Sequence, residues 1–213
     1  MIVIDGMDGA GKGVQTRRLK DTLLKAGHRA ILTREPGGSP GAEEIRRLLV
    51  EGDPDKWDAM TELLLMYAAR RSHLVKTVWP ALAEHCWVIS DRFADSSRAF
   101  QGIAGELGLD VVEAIHQISV GTFKPDLTII LDLPVAVALE RAKMRGGGED
   151  RFERKGVSYH ERVRSAFIEI AQSDTEQYVL LDGSMPMDQV TAAIADAIKS
   201  RLGLDIKLNQ EVG

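Results

Sequence analysis

The opening residues, "MIVIDGMDGAGKGVQTRRL", constrain this chain more than any other stretch. A short β-branched run passes into a glycine-rich turn and then into a helical pattern. Such a turn aims successive backbone N–H groups and a helix N-terminus at one point, which makes a seat for phosphate. The usual pattern is glycine, four residues, glycine, lysine, then serine or threonine. Gly6, Gly11 and Lys12 fit it, whereas Gly13 stands where a hydroxyl normally helps to hold magnesium. Gly9, Ala10 and Val14 complete the backbone expected to face a nucleotide. Loss of the hydroxyl leaves the phosphate seat intact, because amides do that work. It removes one metal ligand. Mg²⁺ retains several waters and takes few protein ligands, so nearby carboxylates, Asp8 and Asp91, are expected to hold it through water, with Glu153 as a third.

Four further runs resemble the first: "RAILT" (29–33), "CWVIS" (86–90), "LTIILD" (127–132) and "YVLLD" (178–182). Helical patterns separate them, over 12–26, 42–51, 58–84, 110–121, 135–145, 158–173 and 187–202. This alternation predicts an α/β fold with a five-stranded parallel sheet covered by helices on both faces. Open sheets of this kind bind ligands beyond the carboxyl ends of their strands, so the site should draw on Asp5, Glu35, Asp91 and their neighbours. With 213 residues, 44% of them hydrophobic, the chain is expected to form one domain. "MRGGGEDRFERKG" (144–156) is dense in glycine and charge; it reads either as a surface linker or as a lid over phosphates. The tail 204–213 has weak periodicity and is expected to fray.

A net charge of −5 argues against a general nucleic-acid or membrane-surface binder. No apolar run approaches the roughly 20 residues of a membrane span, and "MIVIDG" lacks the marks of a secretion signal. A cytoplasmic enzyme is expected. Cys86 is the sole cysteine, which precludes an internal disulfide. The five histidines, His73 and His85 among them, lack metal-ligand spacing and are expected to be solvated or to cap helices.

Downstream motifs narrow the reading. "GAGKG" followed by Gln15 resembles the loop of adenylate kinases, where glycine also follows the lysine. "TREPGG" (33–38), "LLLMYAARRSHL" (63–74), "VISDRFADSSRAFQG" (88–102), "PDLTIILDLP" (125–134) and "RGGGEDRFE" (145–153) occur in the order and spacing of thymidylate kinases. The resemblance covers residues 1 to 203, including a lid at 144–156. It implies a P-loop NTPase fold of nucleoside monophosphate kinase type, with three α/β/α layers. It also implies transfer of the γ-phosphoryl of ATP to dTMP, giving dTDP and ADP for dTTP synthesis, with Mg²⁺ and in a homodimer. The apolar helix 58–84 suits such an interface, and burial within one chain accounts for it equally well.

The resemblance also assigns roles. Lys12 and Asp8 belong to the catalytic loop, and Arg92 holds the acceptor phosphate. Because Met7, Asp8, Gly9 and Ala10 include no arginine, charge on the transferred group should be met from the lid, by Arg145 and Arg151. Glu35 and Pro36 border the monophosphate; Arg34 is equally placed to join them or to balance Glu35. Glu62, Met66 and Arg70 share one helix face. Residue type alone makes Met66 core and Arg70 a solvated end, whereas in the family the matching arginine bonds the thymine edge and a phenylalanine often stacks where Met66 stands. Ser97 and Gln101 match residues around the pyrimidine. Phe100 replaces the usual tyrosine beside the sugar, and core packing explains it equally well. These departures leave room for a different or 5-modified pyrimidine deoxynucleotide as acceptor. A nucleotide-binding regulatory protein that has lost turnover through Gly13 is a further alternative, and a polyphosphate-using kinase a remote one.

Overall fold

The computed structural model describes residues 1–145 and 151–206. Five strands, β1 (Ile2–Gly6), β2 (Ala30–Arg34), β3 (Trp87–Asp91), β4 (Leu127–Asp132) and β5 (Tyr178–Asp182), pair in parallel in the order β2-β3-β1-β4-β5. Alternation along β1 explains the layers. Ile2 and Ile4 point to one face and pack with Leu19 and Leu23 of α1 (Lys12–Lys25), Phe167 of α8 (Val157–Ser173) and Ile194 of α9 (Met187–Leu202). Met1 and Val3 point to the other and meet Leu63 and Tyr67 of α3 (Ala59–His73) and Val112 of α6 (Leu109–Ser119). Ile2, Val3 and Ile4 are fully buried, and each contributes about 1.5–3 kcal/mol by leaving water. The predicted three-layer α/β/α sandwich is therefore present.

Two helical segments depart from expectation. The pattern read as one helix over 58–84 is α3, a π-helical turn at Leu74–Val78, then α4 (Trp79–Ala83). Pro80 lacks an N–H and its ring crowds the preceding turn, and the wide turn, closed by Trp79 N–H to Leu74 O, gives it room. A second segment, α5 (Ala94–Ser97) followed by π-helical Arg98–Ile103, was not expected at all. Its serines and glycine carry little helical signal, yet it brings Ser97, Phe100 and Gln101 to the carboxyl edge of the sheet. The remaining helices, α2 (Pro40–Val50) and α7 (Val135–Arg145), flank that edge. Residues 146–150, within the stretch read as a linker or lid, and the tail from 207 onward lie outside the described residues.

The chain runs from β1 outward to β2, returns through β3, and continues on the other side through β4 and β5. A crevice opens where that order reverses, beyond the carboxyl end of β1. No helix of the described residues is long and apolar enough to cross a membrane.

Candidate active site

A cavity of ≈ 580 Å³ occupies this crevice. At one end is the loop between β1 and α1. Gly9 has φ +82°, and a Cβ there would lie 2.1 Å from the backbone oxygen of Ala138, so only glycine allows α7 this close to the loop. Lys12 opens α1; its Nζ folds back to donate to Met7 O at 2.7 Å and lies 3.8 Å from Asp8 Oδ1. Burial, and then the positive field of Arg92, lower its pKa against the opposing pull of Asp8. At Gly13 an added Cβ would make ordinary contacts, 3.5 Å from Asp91 Oδ2 and 3.6 Å from Arg17 Nη1. The position that usually carries a hydroxyl thus faces a carboxylate on one side and a guanidinium on the other.

Arg92 follows β3 with φ +74°, in the left-handed region that side chains rarely adopt; such residues cost of order 1–3 kcal/mol and collect at functional sites. Its N–H donates to Ile4 O at 3.1 Å, which binds the turn to β1. From there Nη1 donates to Gly6 O at 2.8 Å, Ser96 Oγ at 2.9 Å and Asp5 Oδ1 at 3.1 Å, and Nη2 donates to Asp8 Oδ1 at 2.7 Å. Burial pushes the Asp5 carboxyl up to about 6, and Arg92 only partly offsets it. Burial alone would make the Arg92 guanidinium easier to deprotonate, but Asp8, Asp5 and Asp91 more than reverse this. A fixed cation therefore stands beside the phosphate seat.

The far end of the cavity is built on Glu35, Arg70 and Gln101. Glu35 Oε2 accepts from Arg70 Nε at 2.7 Å, and Oε1 lies 2.9 Å from His73 Nδ1. Burial would raise the Glu35 pKa, yet Arg70 and His73 hold it below its ordinary value. Arg70 is buried, lies 4.4 Å from the ring centre of Tyr67, and donates through Nη2 to Phe93 O and Ser97 Oγ, each at 3.1 Å. Its Nη1 has no partner. Gln101 Nε2 donates to Glu62 Oε2 at 3.2 Å, and its buried Oε1 also lacks a partner. An ionised carboxylate only accepts, so Glu62 dictates which way this amide faces. One unused donor and one unused acceptor thus belong to side chains that line the same cavity, with Met66, Pro36 and Phe100 supplying apolar walls.

A phosphate seat joined to a polar, donor-plus-acceptor pocket narrows the comparison with known proteins. The family described as thymidylate kinase matches residues 4–194. The chain belongs to the thymidylate kinase family. It is 51% identical over 203 residues to a thymidylate kinase of Caulobacter vibrioides, covering 95% of this chain and 97% of that one. A thymidylate kinase of Ruegeria pomeroyi is 47% identical over 202 residues, covering 94% and 95%. The crystal structure of thymidylate kinase from Ehrlichia chaffeensis superposes with a TM-score of 0.75 at 28% identity, over 93% of this chain and 97% of that one.

Within this thymidylate kinase fold, the residues expected from sequence divide in their placement. Gly9, Gly11, Lys12, Gly13 and Val14 line the cavity beside Asp8 and Asp91. Gly6 and Ala10 lie behind the loop: Gly6 O accepts from Arg92, and Ala10 N–H turns to Met7 O. Glu35 lines the cavity, but both its oxygens are engaged by Arg70 and His73. Arg70 is no solvated helix end; it is buried and lines the far end of the cavity. Phe100 packs in the core, meeting Phe152, Tyr159 and Phe167 edge-on at 5.9–6.4 Å between ring centres, and also lines the cavity. Arg151 is not among the residues that line the cavity: its buried guanidinium donates to Glu62 Oε1 at 2.6 Å and to the carbonyls of Leu49, Asp53 and Pro54 at the exit of α2. Glu153 lines the cavity, Arg145 ends α7, and the Arg145 side chain lies outside the described part.

Sequence reasoning missed several neighbours. Arg17 and Arg141 line the cavity. The place of Arg17 was available from its spacing, four residues beyond Gly13 in α1. His73, expected to be solvated or capping, is wholly buried one turn beyond Arg70.

Proposed function

We propose that the chain transfers the γ-phosphoryl group of ATP to the 5'-phosphate of dTMP, giving dTDP and ADP. The unpartnered Nη1 of Arg70 and Oε1 of Gln101 carry this reading. Thymine presents O4, an acceptor, beside N3–H, a donor. Cytosine presents an amino group beside a bare ring nitrogen, which opposes both protein atoms. A buried polar atom left unpaired costs about 1–3 kcal/mol, and thymine relieves two such atoms at once.

Phosphoryl transfer depends on positioning and on cations distributed around the moving group. Lys12 exchanges Met7 O for the donor phosphates, and Arg92, held in place by Asp5, meets the acceptor phosphate as Asp8 yields its hydrogen bond. Arg145 is the proposed lid cation, within a kinase unit spanning 1–203; Arg151 latches the lid base to Glu62. Among the described residues no three His, Cys, Asp or Glu side chains gather into a metal cage. That agrees with Mg²⁺ carried mainly by nucleotide oxygens and water. Asp91, facing the gap at Gly13, is the carboxylate best placed to hold it; Asp8 is engaged by Arg92, and Glu153 borders the same space. When bound, the ion supplies neutralisation of the β and γ charges.

The reading extends to a cytoplasmic homodimer. Support for self-association comes from neighbouring helices α3 and α6, which expose Leu64 (53%) and Ile118 (86%); light scattering after gel filtration tests it. The activity test is direct. Purified protein with MgATP and dTMP is expected to form dTDP and ADP, and protein that binds both nucleotides without forming dTDP refutes the proposal. Comparing kcat/KM across dTMP, dUMP and 5-substituted dUMP separates dTMP from a modified acceptor.

A further inference from the structure

Behind Arg70 lies a chain of buried polar groups that runs from the cavity wall at Glu35 to His73 and Thr33, which do not line the cavity. His73, the last residue of α3, is 0% exposed. Its Nδ1 is 2.9 Å from Glu35 Oε1 and its Nε2 is 2.6 Å from Thr33 Oγ1. Glu35 is held ionised by Arg70 and His73, so its oxygens only accept. Nδ1 therefore carries a proton and donates to Glu35, while Nε2 pairs with the Thr33 hydroxyl. The other Glu35 oxygen accepts from Arg70 Nε at 2.7 Å. The order is thus Thr33, His73, Glu35, Arg70, ending at the unpartnered Nη1. Gly38 belongs to the same construction: at φ +81° its Cβ would fall 2.4 Å from Thr33 Oγ1 and 2.6 Å from His73 Nε2, between the two partners.

We infer that His73 is a positioning residue for the acceptor base: anchored by Thr33, it orients Glu35, and Glu35 aims Arg70 Nη1 at the base carbonyl. The inference rests on the proposed dTMP kinase activity and adds to it a residue that never meets substrate. An unanchored Glu35 has a second rotamer available, and an arginine fixed on one side only spends less time in the geometry that meets O4. Glu35 meets the ATP end through its backbone, its N–H donating to Asp91 O at 2.9 Å, whereas its carboxylate is held by Arg70 and His73. Loss of the His73 contact therefore falls on one substrate.

Steady-state kinetics of His73→Leu and His73→Asn, beside the parent protein, test this. Leucine fills the space with no donor; the asparagine amide reproduces the Nδ1–H. His73→Leu is expected to raise KM for dTMP about tenfold, the scale of one compromised buried hydrogen bond to a charged group. KM for ATP and kcat should stay within about threefold. His73→Asn should recover most of the dTMP affinity. The inference is overturned if KM for dTMP is unchanged in His73→Leu, if both KM values rise together, or if asparagine is no better than leucine. Should His73→Leu fail to fold, Thr33→Val decides in the same assay: a rise of about threefold in KM for dTMP alone supports the relay, and an equal change in both substrates, or none, overturns it. Turnover of dTMP by the parent protein tests the activity itself, so the two failures are distinguishable.

Discussion

Glu62 offers the strongest test of how the lid base is tied to the acceptor pocket. It is 1% exposed and takes three donors: Arg151 Nη2 at 2.6 Å, Lys155 Nζ at 3.1 Å and Gln101 Nε2 at 3.2 Å. Glu62→Gln keeps the shape and removes the charge. The Arg151 guanidinium, 0% exposed, is then left with neutral acceptors alone, the remaining amide oxygen and backbone carbonyls. Removing one member of a buried pair costs about 3–5 kcal/mol. The carbonyls already bonded to Arg151 favour the lower end, about 3 kcal/mol, and for a chain of this size each kcal/mol moves Tm by about 2–4 °C. A fall of about 6–12 °C is therefore expected in thermal unfolding followed by circular dichroism. Because Gln101 loses the acceptor that orients its amide, KM for dTMP should rise severalfold as well. The double variant Glu62→Gln, Arg151→Gln removes the stranded charge, so it should be more stable than the sum of the two single effects. A fall below about 2 °C, or strict additivity in the cycle, would refute the buried pair as the latch.

Three further outcomes are expected. The Asp5 carboxyl titrates near 6 in the folded protein against an ordinary 3.8, so the native state holds this proton more tightly than the unfolded chain. Asp5 therefore favours folding most when protonated and loses that contribution as pH rises through 4 to 6; urea titrations should show Asp5→Asn gaining on the parent by up to about 3 kcal/mol between pH 4 and pH 7, and a flat or reversed difference would contradict it. Gly9→Ala must bring a methyl against the backbone of α7 at a positive φ; KM for ATP should rise more than about tenfold with a loss of about 1–3 kcal/mol, and normal values for both would show that the loop does not need this approach. Gly13→Ser fits without a clash; Tm should hold, while Mn²⁺ titrated into protein with a non-hydrolysable ATP analogue should bind severalfold more tightly, and unchanged affinity would place the ion elsewhere.

The sheet was readable because each strand is a compact apolar run, four of the five beside a glycine or proline signal, and parallel strands buried on both faces leave little else such a run can be. Where the pattern misled, a backbone event with a weak sequence mark was responsible. Pro80 marked the break in the long helix, but the period continues across it because a π-helical turn adds a residue without rotating the apolar face out of the core. The segment from Ala94 to Ile103 carries serines and a glycine that favour turns, and it is helical because Phe93, Ala99 and Phe100 are buried against the sheet and α8. Tertiary burial outweighed local propensity there.

The site divides along a different line. Positions whose function is carried by backbone, such as Gly9 and Gly11, could be placed from spacing, because a turn of that composition has few shapes open to it. Positions whose function depends on a distant partner could not. Arg92 and Arg151 are both arginines beside an aspartate in a glycine-adjacent or strand-end context, yet one stands at the phosphate seat and the other is buried behind α2. What separates them is the location of their acids: Asp5 comes from β1 and Asp8 from the loop after it, whereas Glu62 comes from α3, packed against α2. Sequence spacing carries no such information over separations of eighty residues or more. Gly13 joins the two cases. Its backbone belongs to the loop and was legible, while its consequence, a gap between Asp91 and Arg17, needed both side chains in place. A serine there would fit the space, so packing does not require glycine at this position. On the proposed reading the choice leaves metal affinity to Asp91 and to the nucleotide itself, and a tighter Mn²⁺ complex in Gly13→Ser is the measurement on which that argument depends.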